Sequence, residues 1–370
     1  MLKVLHLLNY CGNGGSENYI LTLAEKLKND CEFYLAYSES GPMLKKAEAL
    51  GFQLIHLPMR SPYDIPAALK LKSLCKSLGI ELVHTHFLRE NFISGFSKMF
   101  GCSATLINTT HMLEPKRGAV RVANKFFSRF NTHLTAVSEA VRQLLISEGI
   151  DAEKVVTVLN GVDMEFWQKS AESSGAAEYR ERLGIGASDF LIVSTARFSE
   201  EKGHLFLLES ILALKNRRRA SDGSRKIAFV LAGDGPLLED CKYYSEENGL
   251  TDDVFFLGHS DDVKSLLNAA DIFVCHSRSE ALGLSILEAM ACSLPVVATD
   301  SGGPSEILGA ESNAGILVEY GDTEGMAEAI LRFYDDAGFL SSCALAARKI
   351  VKDRFDLTQT AEKMLQLYTN

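Results

Sequence analysis

Short continuous apolar runs alternate with amphipathic segments along almost the whole chain. In the first half the runs are Lys3–Leu8, Glu32–Tyr37, Gln53–Leu57, Leu82–Thr85, Thr105–Thr109, His133–Val137 and Val155–Leu159, with helical segments such as Ser16–Lys28 and Asp64–Leu78 between them. Runs that stay apolar at successive positions are strands buried on both faces, and intervening helices predict a parallel sheet covered on both sides. The pattern breaks at about Met164–Gly186, where Ala171–Ala177 is small and polar and predicts a linker or irregular connection. A second series then begins: Phe190–Thr195, Lys226–Ala232, Val254–Leu257, Ile272–Cys275, Pro295–Ala298 and Gly315–Val318. Two α/β domains in tandem follow. The chain ends in helical segments at Phe339–Asp353 and Thr358–Tyr368, the last of which either packs on the second domain or crosses back to the first. Arg217-Arg-Arg219 with Ser221-Asp-Gly-Ser224 predicts an exposed loop, either a solvated surface or an interaction patch.

A chain of 370 residues exceeds one ordinary core and suits two domains, and a hydrophobic fraction of 46% excludes disorder. The net charge of −10 argues against general nucleic-acid binding, which needs a basic footprint. Eight cysteines are scattered without a CxxC pair; Cys102, Cys275 and Cys292 lie in or beside apolar runs, as buried thiols of a reducing cytosol do. The apolar N-terminus contains Lys3 and His6 and meets a glycine-rich loop at once, which favours a first buried strand over a signal peptide. No stretch approaches the ~20 apolar residues of a membrane span. The expected location is cytoplasmic, with surface attachment to a membrane left open.

The candidate chemistry sits at strand ends, where open parallel sheets bind ligands. Glu280 and Glu288 flank Gly283 in a strand–loop–helix stretch. Residues eight apart lie about 80° apart around a helix and share no face. With a helix starting near Gly283, Glu280 lies in the loop and Glu288 about one turn inside, so both can look into one crevice past free helix-start amides. Carboxylates for hydroxyls and amides for phosphate describe a sugar-nucleotide pocket. Arg197 and Lys202-Gly203 follow another strand; they are either diphosphate ligands or solvated loop cations. Gly233-Asp-Gly-Pro236 either lets a base lie against backbone or is only a turn, and Ser301–Glu306 ends a strand in the same way.

Gly14-Gly15-Ser16-Glu17 opens a helix after the first strand and is either a phosphate approach or a plain tight turn; the GxGxxG spacing of a dinucleotide site is absent. His84 and His86 occupy alternate strand positions and are expected on opposite faces, without a shared metal. One is expected in the core, the other, with His86 preferred, at the crevice; His111 follows the next strand. Arg117, Arg121, Lys125 and Arg129 recur every four residues with Val120, Phe126, Phe127 and Phe130 nearby. They form one helical ridge, which is either an ordinary exposed face or a dock for an anionic membrane or acceptor.

Taken in order, Gly14–Glu17, His84-Thr-His86, Thr110-His111, Val137-Ser-Glu139, Asn160-Gly-Val-Asp163, Arg197 with Lys202-Gly203, Gly233–Pro236, Glu280–Ala291, Pro295–Thr299 and Gly302–Glu306 resemble the retaining glycosyltransferases of family 4. The resemblance runs nearly end to end and implies an α/β GT-B fold, in which two Rossmann-like doubly wound parallel-sheet domains face across a cleft and the C-terminal helix crosses back. It sets an acceptor-binding domain at 1–165 plus 355–370, a donor-binding domain at 185–354 and a linker at 166–184. The implied reaction moves a hexose or N-acetylhexosamine from a nucleotide-diphosphate sugar to a glycan or lipid-linked acceptor, with retention, for cell-surface polysaccharide or glycolipid synthesis. Neither metal nor cofactor is implied, and nucleic acid is not a partner.

By carry-over, Arg197, Lys202 and the amides at Gly15, Gly283 and Leu284 hold the diphosphate, with Gly14 also on the donor side. Glu280 holds the sugar, Glu288 the ribose, and Gly233 and Asp234 belong to the donor side. His86 stands beside the transferred sugar, with His111 and Asn160 toward the acceptor. Glu280, His86, Lys202 and Arg197 are the expected catalytic set. The chain departs from the family's usual pattern at Ala281 and Leu282, where Gly and Phe are usual, and at Ser293, where Gly is common. A nucleotide-sugar epimerase and a non-catalytic nucleotide-sugar-binding subunit are the alternatives; a donor-only incubation separates the first, and retention of four charged site residues counts against the second.

Overall fold

The computed structural model describes residues 1–168, 174–218, 225–309 and 312–369. The chain divides into two compact units, Met1–Asn160 with Leu357–Asn370, and Gly161–Asp356. Arg219 and Ser221–Ser224 of the expected exposed loop lie outside the described residues, as does part of the 166–184 connection.

Unit 1 holds seven parallel strands: β1 (Leu2–Tyr10), β2 (Cys31–Glu39), β3 (Gln53–His56), β4 (Leu82–Thr85), β5 (Thr105–Thr110), β6 (His133–Ala136) and β7 (Val155–Thr157). Their order is β3-β2-β1-β4-β5-β6-β7. Unit 2 repeats the scheme with β8 (Phe190–Thr195), β9 (Ile227–Ala232), β10 (Val254–Gly258), β11 (Ile272–Cys275), β12 (Val296–Thr299) and β13 (Gly315–Val318), in the order β10-β9-β8-β11-β12-β13. Each sheet runs outward from its first strand, returns, and continues on the other side. This doubly wound arrangement creates a switch point between β1 and β4, and a second between β8 and β11. The fold is GT-B in type: two Rossmann-like parallel-sheet units.

The strands follow the apolar runs because central parallel strands bury both faces. The side-chain alternation along β1 has no solvent side: Val4, Leu5, Leu7 and Leu8 are all fully buried, Val4 and Leu8 toward one helical layer, Leu5 and Leu7 toward the other. The last helix, Leu357–Thr369, belongs to the core of unit 1, where Ala361, Met364 and Tyr368 pack with Tyr19, Leu23 and Leu27 of the first helix, Gly15–Leu27.

One expectation needs correction. The stretch taken for linker carries two helices, Met164–Trp167 and Ser174–Arg182. Asp163 caps the first by accepting from the amides of Glu165 and Phe166, both at 3.0 Å. Arg180 anchors the second: its guanidinium donates to the Ala269 carbonyl and to Asp271 Oδ2, each at 2.8 Å, and Asp271 also accepts from the Leu191 amide. Tertiary contacts thus order a segment whose composition is that of a loop. All eight cysteines are buried thiols, Cys102, Cys275 and Cys292 of the apolar runs among them.

Candidate functional site

β8 and β11 meet at the switch point of unit 2, and the residues beyond their ends are tied together. β8 leads to Arg197 and the 3₁₀ turn Glu200–Lys202; β11 leads to His276, Ser277 and Glu280. Lys202 Nζ stands 2.6 Å from Glu280 Oε2, and Ser277 Oγ donates to the same oxygen at 3.2 Å. Burial works against the charge on Lys202, but the Glu280 carboxylate outweighs it and holds the ammonium above the ordinary lysine value. The Arg278 amide donates to the Glu201 carbonyl at 2.8 Å, a second tie between the loops. Arg197 is exposed and makes no ion pair among the described residues.

The loop after β12 buttresses this pair. The Glu280 amide donates to the Ser301 carbonyl at 3.1 Å and the Gly303 amide to the Glu280 carbonyl at 2.9 Å. A Cβ on Gly303 would fall 2.2 Å from Leu282 Cα, so glycine is required there for backbone to lie on backbone. Gly283, at φ +102°, turns the chain into the helix Leu284–Ala291, whose start has no side-chain cap. First-turn amides without a side-chain acceptor are suited to an anion. Glu288 follows one turn inside this helix. Burial pushes its carboxyl up to about 8, and it has no side-chain hydrogen-bond partner among the described residues.

Gly233 and Asp234 lie at the end of β9, tied to the segment that follows β8. A Cβ on Gly233 would lie 1.9 Å from the Ala196 carbonyl oxygen, and the Asp234 carbonyl accepts from the Phe198 amide at 2.9 Å. The turn is packed against the segment that carries Arg197.

At the switch point of unit 1 three histidines form a hydrogen-bonded chain. His6 Nδ1 lies 2.9 Å from His86 Nε2, and His86 Nδ1 lies 3.0 Å from His111 Nε2. His84 stands beside them, with its ring centroid 4.3 Å from that of His86 and its nitrogens on the Tyr368 hydroxyl and Thr109 Oγ1, both at 2.7 Å. His84 and His86 therefore do not point to opposite faces. Residues two apart along a strand share a face, as Leu5 and Leu7 do on β1, so the two rings stand side by side instead of opposed. The expectation that one of the pair reaches the crevice fails too: both are buried, and both nitrogens of His86 are engaged. His111 is the partly exposed end of the chain, and its Nδ1 is the nitrogen left over.

Burial alone holds His6 and His111 down near 3; burial, then neighbouring histidines, holds His84 and His86 well below the ordinary value. All four rings are neutral at neutral pH. Among the described residues, ring nitrogens of His6, His84 and His86 come within 4.8 Å of one another, a spacing that could ligate an ion. A cation there would have to displace the proton shared by His6 and His86.

Elsewhere in unit 1, Glu17 folds over the Gly14–Gly15 turn: its Oε1 accepts from the Gly12 amide at 3.2 Å, and its Oε2 would lie 2.9 Å from a Cβ on Gly14. Asn160 is buried, with no partner for Oδ1.

Two family models tile the chain: Glycosyltransferase Family 4 over residues 13–166, and Glycosyl transferases group 1 over residues 176–350. The chain belongs to the family 4 glycosyltransferases. It is 26% identical over 315 residues to the Escherichia coli UDP-Gal:alpha-D-GlcNAc-diphosphoundecaprenol alpha-1,3-galactosyltransferase, covering 82% of this chain and 79% of that one. It is 26% identical over 314 residues to the N-acetyl-alpha-D-glucosaminyl L-malate synthase of Bacillus anthracis, covering 83% and 78%. HepE of Anabaena, solved in complex with UDP, superposes with a TM-score of 0.87 at 21% identity over the whole of both chains.

In this glycosyltransferase the basic ridge differs from its expected form. The helix spans only Gly118–Ser128, so Arg117 and Arg129 are its end caps. Arg121 turns to the end of the helix Glu139–Ser147, donating to the carbonyls of Ser147 at 2.7 Å and Glu148 at 3.1 Å. Lys125 Nζ lies 3.0 Å from where a Cβ on Gly149 would be. Arg121 thus caps a neighbouring helix end, whose carbonyls carry partial negative charge, while Lys125 lies beside Gly149 just past that end. The apolar residues the same helix exposes are Val120, Val122 and Phe126, with Met112 just before it. Among the described residues no helix is long and apolar enough to cross a membrane.

Sequence reasoning passed over His276, Ser277 and His6. Ser277 and His276 sit between β11 and Glu280, a position that itself marks them as site supports. His6 lies inside an apolar strand, where a lone imidazole signals a buried polar partner.

Proposed function

We propose that the protein transfers a hexose or N-acetylhexosamine from a UDP-sugar to a lipid-linked glycan acceptor, with retention at the anomeric carbon and without a metal. The observation that carries this reading is the Lys202–Glu280 pair, held 2.6 Å apart at the switch point of unit 2, beside an uncapped helix start at Gly283. Lys202 and Arg197 take the diphosphate, together with the amides of Gly283 and Leu284. Glu280 accepts from the sugar's hydroxyls, and Glu288 from those of the ribose. As the sugar–phosphate bond breaks, charge grows on the leaving oxygen, where preorganised donors lower the barrier. The acceptor then attacks from the face the diphosphate leaves. Unit 1 supplies acceptor-side residues, with the outer nitrogen of His111 in the role expected of His86 and the buried Asn160 as a second candidate.

The relatives' names support the donor and acceptor classes: one uses UDP-galactose and a diphosphoundecaprenol-linked sugar. A lipid-linked acceptor also gives meaning to Val122 and Phe126 exposed beside Arg117 and Arg129, which suit peripheral contact with an anionic inner membrane face.

The test begins with a thermal-shift screen across UDP- and GDP-sugars, since a ligand that binds only the native state raises stability. Turnover of the stabilising donor is then followed in Lys202→Ala and Glu280→Ala. Each is expected to lose roughly 10²–10³ in rate; near-wild-type turnover in both would remove the site assignment.

A further inference from the structure

We propose that His276 is a positioning residue for this reaction, whose Nδ1–H fixes the Lys202 backbone and so sets where the Lys202 ammonium stands between Glu280 and the donor's diphosphate. The proposal rests on the donor-site reading above. Its geometry is independent of that reading.

His276 is the first residue past β11 and is 1% exposed. Its Nδ1 lies 2.6 Å from the Lys202 carbonyl oxygen, and its Nε2 lies 3.0 Å from Ser194 Oγ. A carbonyl can only accept, so Nδ1 carries the hydrogen. Nε2 then holds a lone pair and accepts from the Ser194 hydroxyl. The two partners fix one tautomer, and the ring becomes a strut between β8, the turn Glu200–Lys202 and the loop that delivers Glu280. The ring is also held from the side: His204 meets it edge-on at 4.6 Å and is itself stacked on Phe198 at 3.8 Å. Burial keeps His276 down near 4, so it stays a neutral donor–acceptor at working pH.

The turn it grips has little freedom to find this position otherwise. Gly203 sits at φ +71°, and a Cβ there would lie 2.5 Å from the His276 carbonyl oxygen. The loops approach so closely that the imidazole, the Arg278–Glu201 backbone bond and the Lys202–Glu280 pair act as three rungs. Of the three rungs, the imidazole is the only one that also reaches back into the sheet, through Ser194 on β8. Without it, Lys202 keeps its charge and its glutamate but loses the fixed point from which its side chain extends. A displacement of about 1 Å at a reacting group can cost up to 10²-fold.

Three replacements separate the two nitrogens. His276→Asn places an amide N–H near the Nδ1 position and keeps the bond to Lys202. His276→Gln reaches Ser194 and loses the Lys202 bond. His276→Phe keeps volume and loses both. UDP affinity is measured by isothermal titration, kcat and KM on the donor found by the screen, and Tm for each protein. His276→Asn is expected within about threefold of wild type for UDP, and His276→Gln and His276→Phe weaker by about 10- to 100-fold at similar Tm. Loss in His276→Asn equal to that in His276→Phe, or losses that simply follow Tm, would overturn the proposal.

Lys202→Ala is run beside them. If it binds UDP like wild type, the donor-site reading fails, and a second readout still decides the strut: the rate at which Lys202 is acetylated by acetic anhydride, followed by peptide mass spectrometry. A held ion pair slows that reaction. Faster labelling in His276→Gln and His276→Phe but not in His276→Asn supports the strut; equal rates in all proteins refute it.

Discussion

Glu288, inside the helix Leu284–Ala291, and Ser293, just past its end, are single residues whose environments set measurable quantities. Burial lifts the Glu288 carboxyl from 4.5 to about 8, so the folded protein holds a proton there at pH 7 that the unfolded chain has lost. As pH rises above 4.5 this group therefore withdraws stability, and the loss is complete once pH passes about 8. Hydroxyls donating to the ionised carboxylate would reverse the shift. UDP binding at pH 7 is accordingly expected to release close to one proton, measured by titration calorimetry in two buffers of different ionisation heat, and Glu288→Gln is expected to release none. Equal proton release by both proteins would take Glu288 out of the ribose contact. Ser293 ends the same helix at φ +63°, with the Leu294 amide on the Ala289 carbonyl at 3.0 Å. That is a helix ending in which glycine is the unstrained residue. Ser293→Gly is expected to raise stability by about 1 kcal/mol, read as a Tm increase of about 2–4 °C, with donor turnover as in wild type.

At the scale of elements, the helix Gly118–Ser128 divides its cations between two tasks. Arg121 caps the carbonyls of Ser147 and Glu148, whereas Arg117 and Arg129 are exposed at the helix ends near Val122 and Phe126. Reversal of Arg117 and Arg129 to Glu, with Val122→Ser, is expected to weaken binding to vesicles containing anionic lipid by more than about 2 kcal/mol, the loss of the two basic residues alone at about 1 kcal/mol each, at little cost in Tm. Arg121→Glu is expected to lower Tm instead. Unchanged sedimentation of the triple variant with vesicles would remove the helix from any membrane role. The contrast shows what the sequence could disclose. Among the described residues all thirteen strands lie where apolar runs place them, because burial on both faces leaves a mark at every position. The ridge of cations was visible, but the partner of each was not, since Ser147 and Glu148 offer only carbonyls. Ser174–Arg182 read as linker because what holds it, Arg180 on the Ala269 carbonyl and Asp271 with the buried Tyr179 beside it, lies about 90 residues away in sequence. His6, His86 and His111 lie on three separated segments, and no spacing rule links residues 80 apart in sequence. The Lys202–Glu280 pair was legible as two strand-end charges; the His276 strut joining them was not, because it works through a backbone carbonyl that any residue would present.

At the scale of the whole molecule, the two units differ in how they are made from the chain. Gly161–Asp356 is continuous, whereas Met1–Asn160 is completed by Leu357–Asn370. The fragment 161–356 is expected to unfold cooperatively on its own, as followed by circular dichroism, and, on the donor-site reading, to retain UDP affinity. The fragment 1–160, without Met364 and Tyr368 against its first helix, is expected to lack a cooperative transition until a 357–370 peptide is added. A cooperative melt of 1–160 alone would contradict this. The bond from the Tyr368 hydroxyl to His84 closes a separation of 284 residues. A ribosome adding about 5–20 residues per second would release the first unit's strands long before its last helix exists. The second unit can therefore fold during synthesis, while the first waits with one helical layer open. Its exposure to chaperones and to aggregation is set by elongation over residues 161–356, so translation speed in the second unit becomes a determinant of yield for the first.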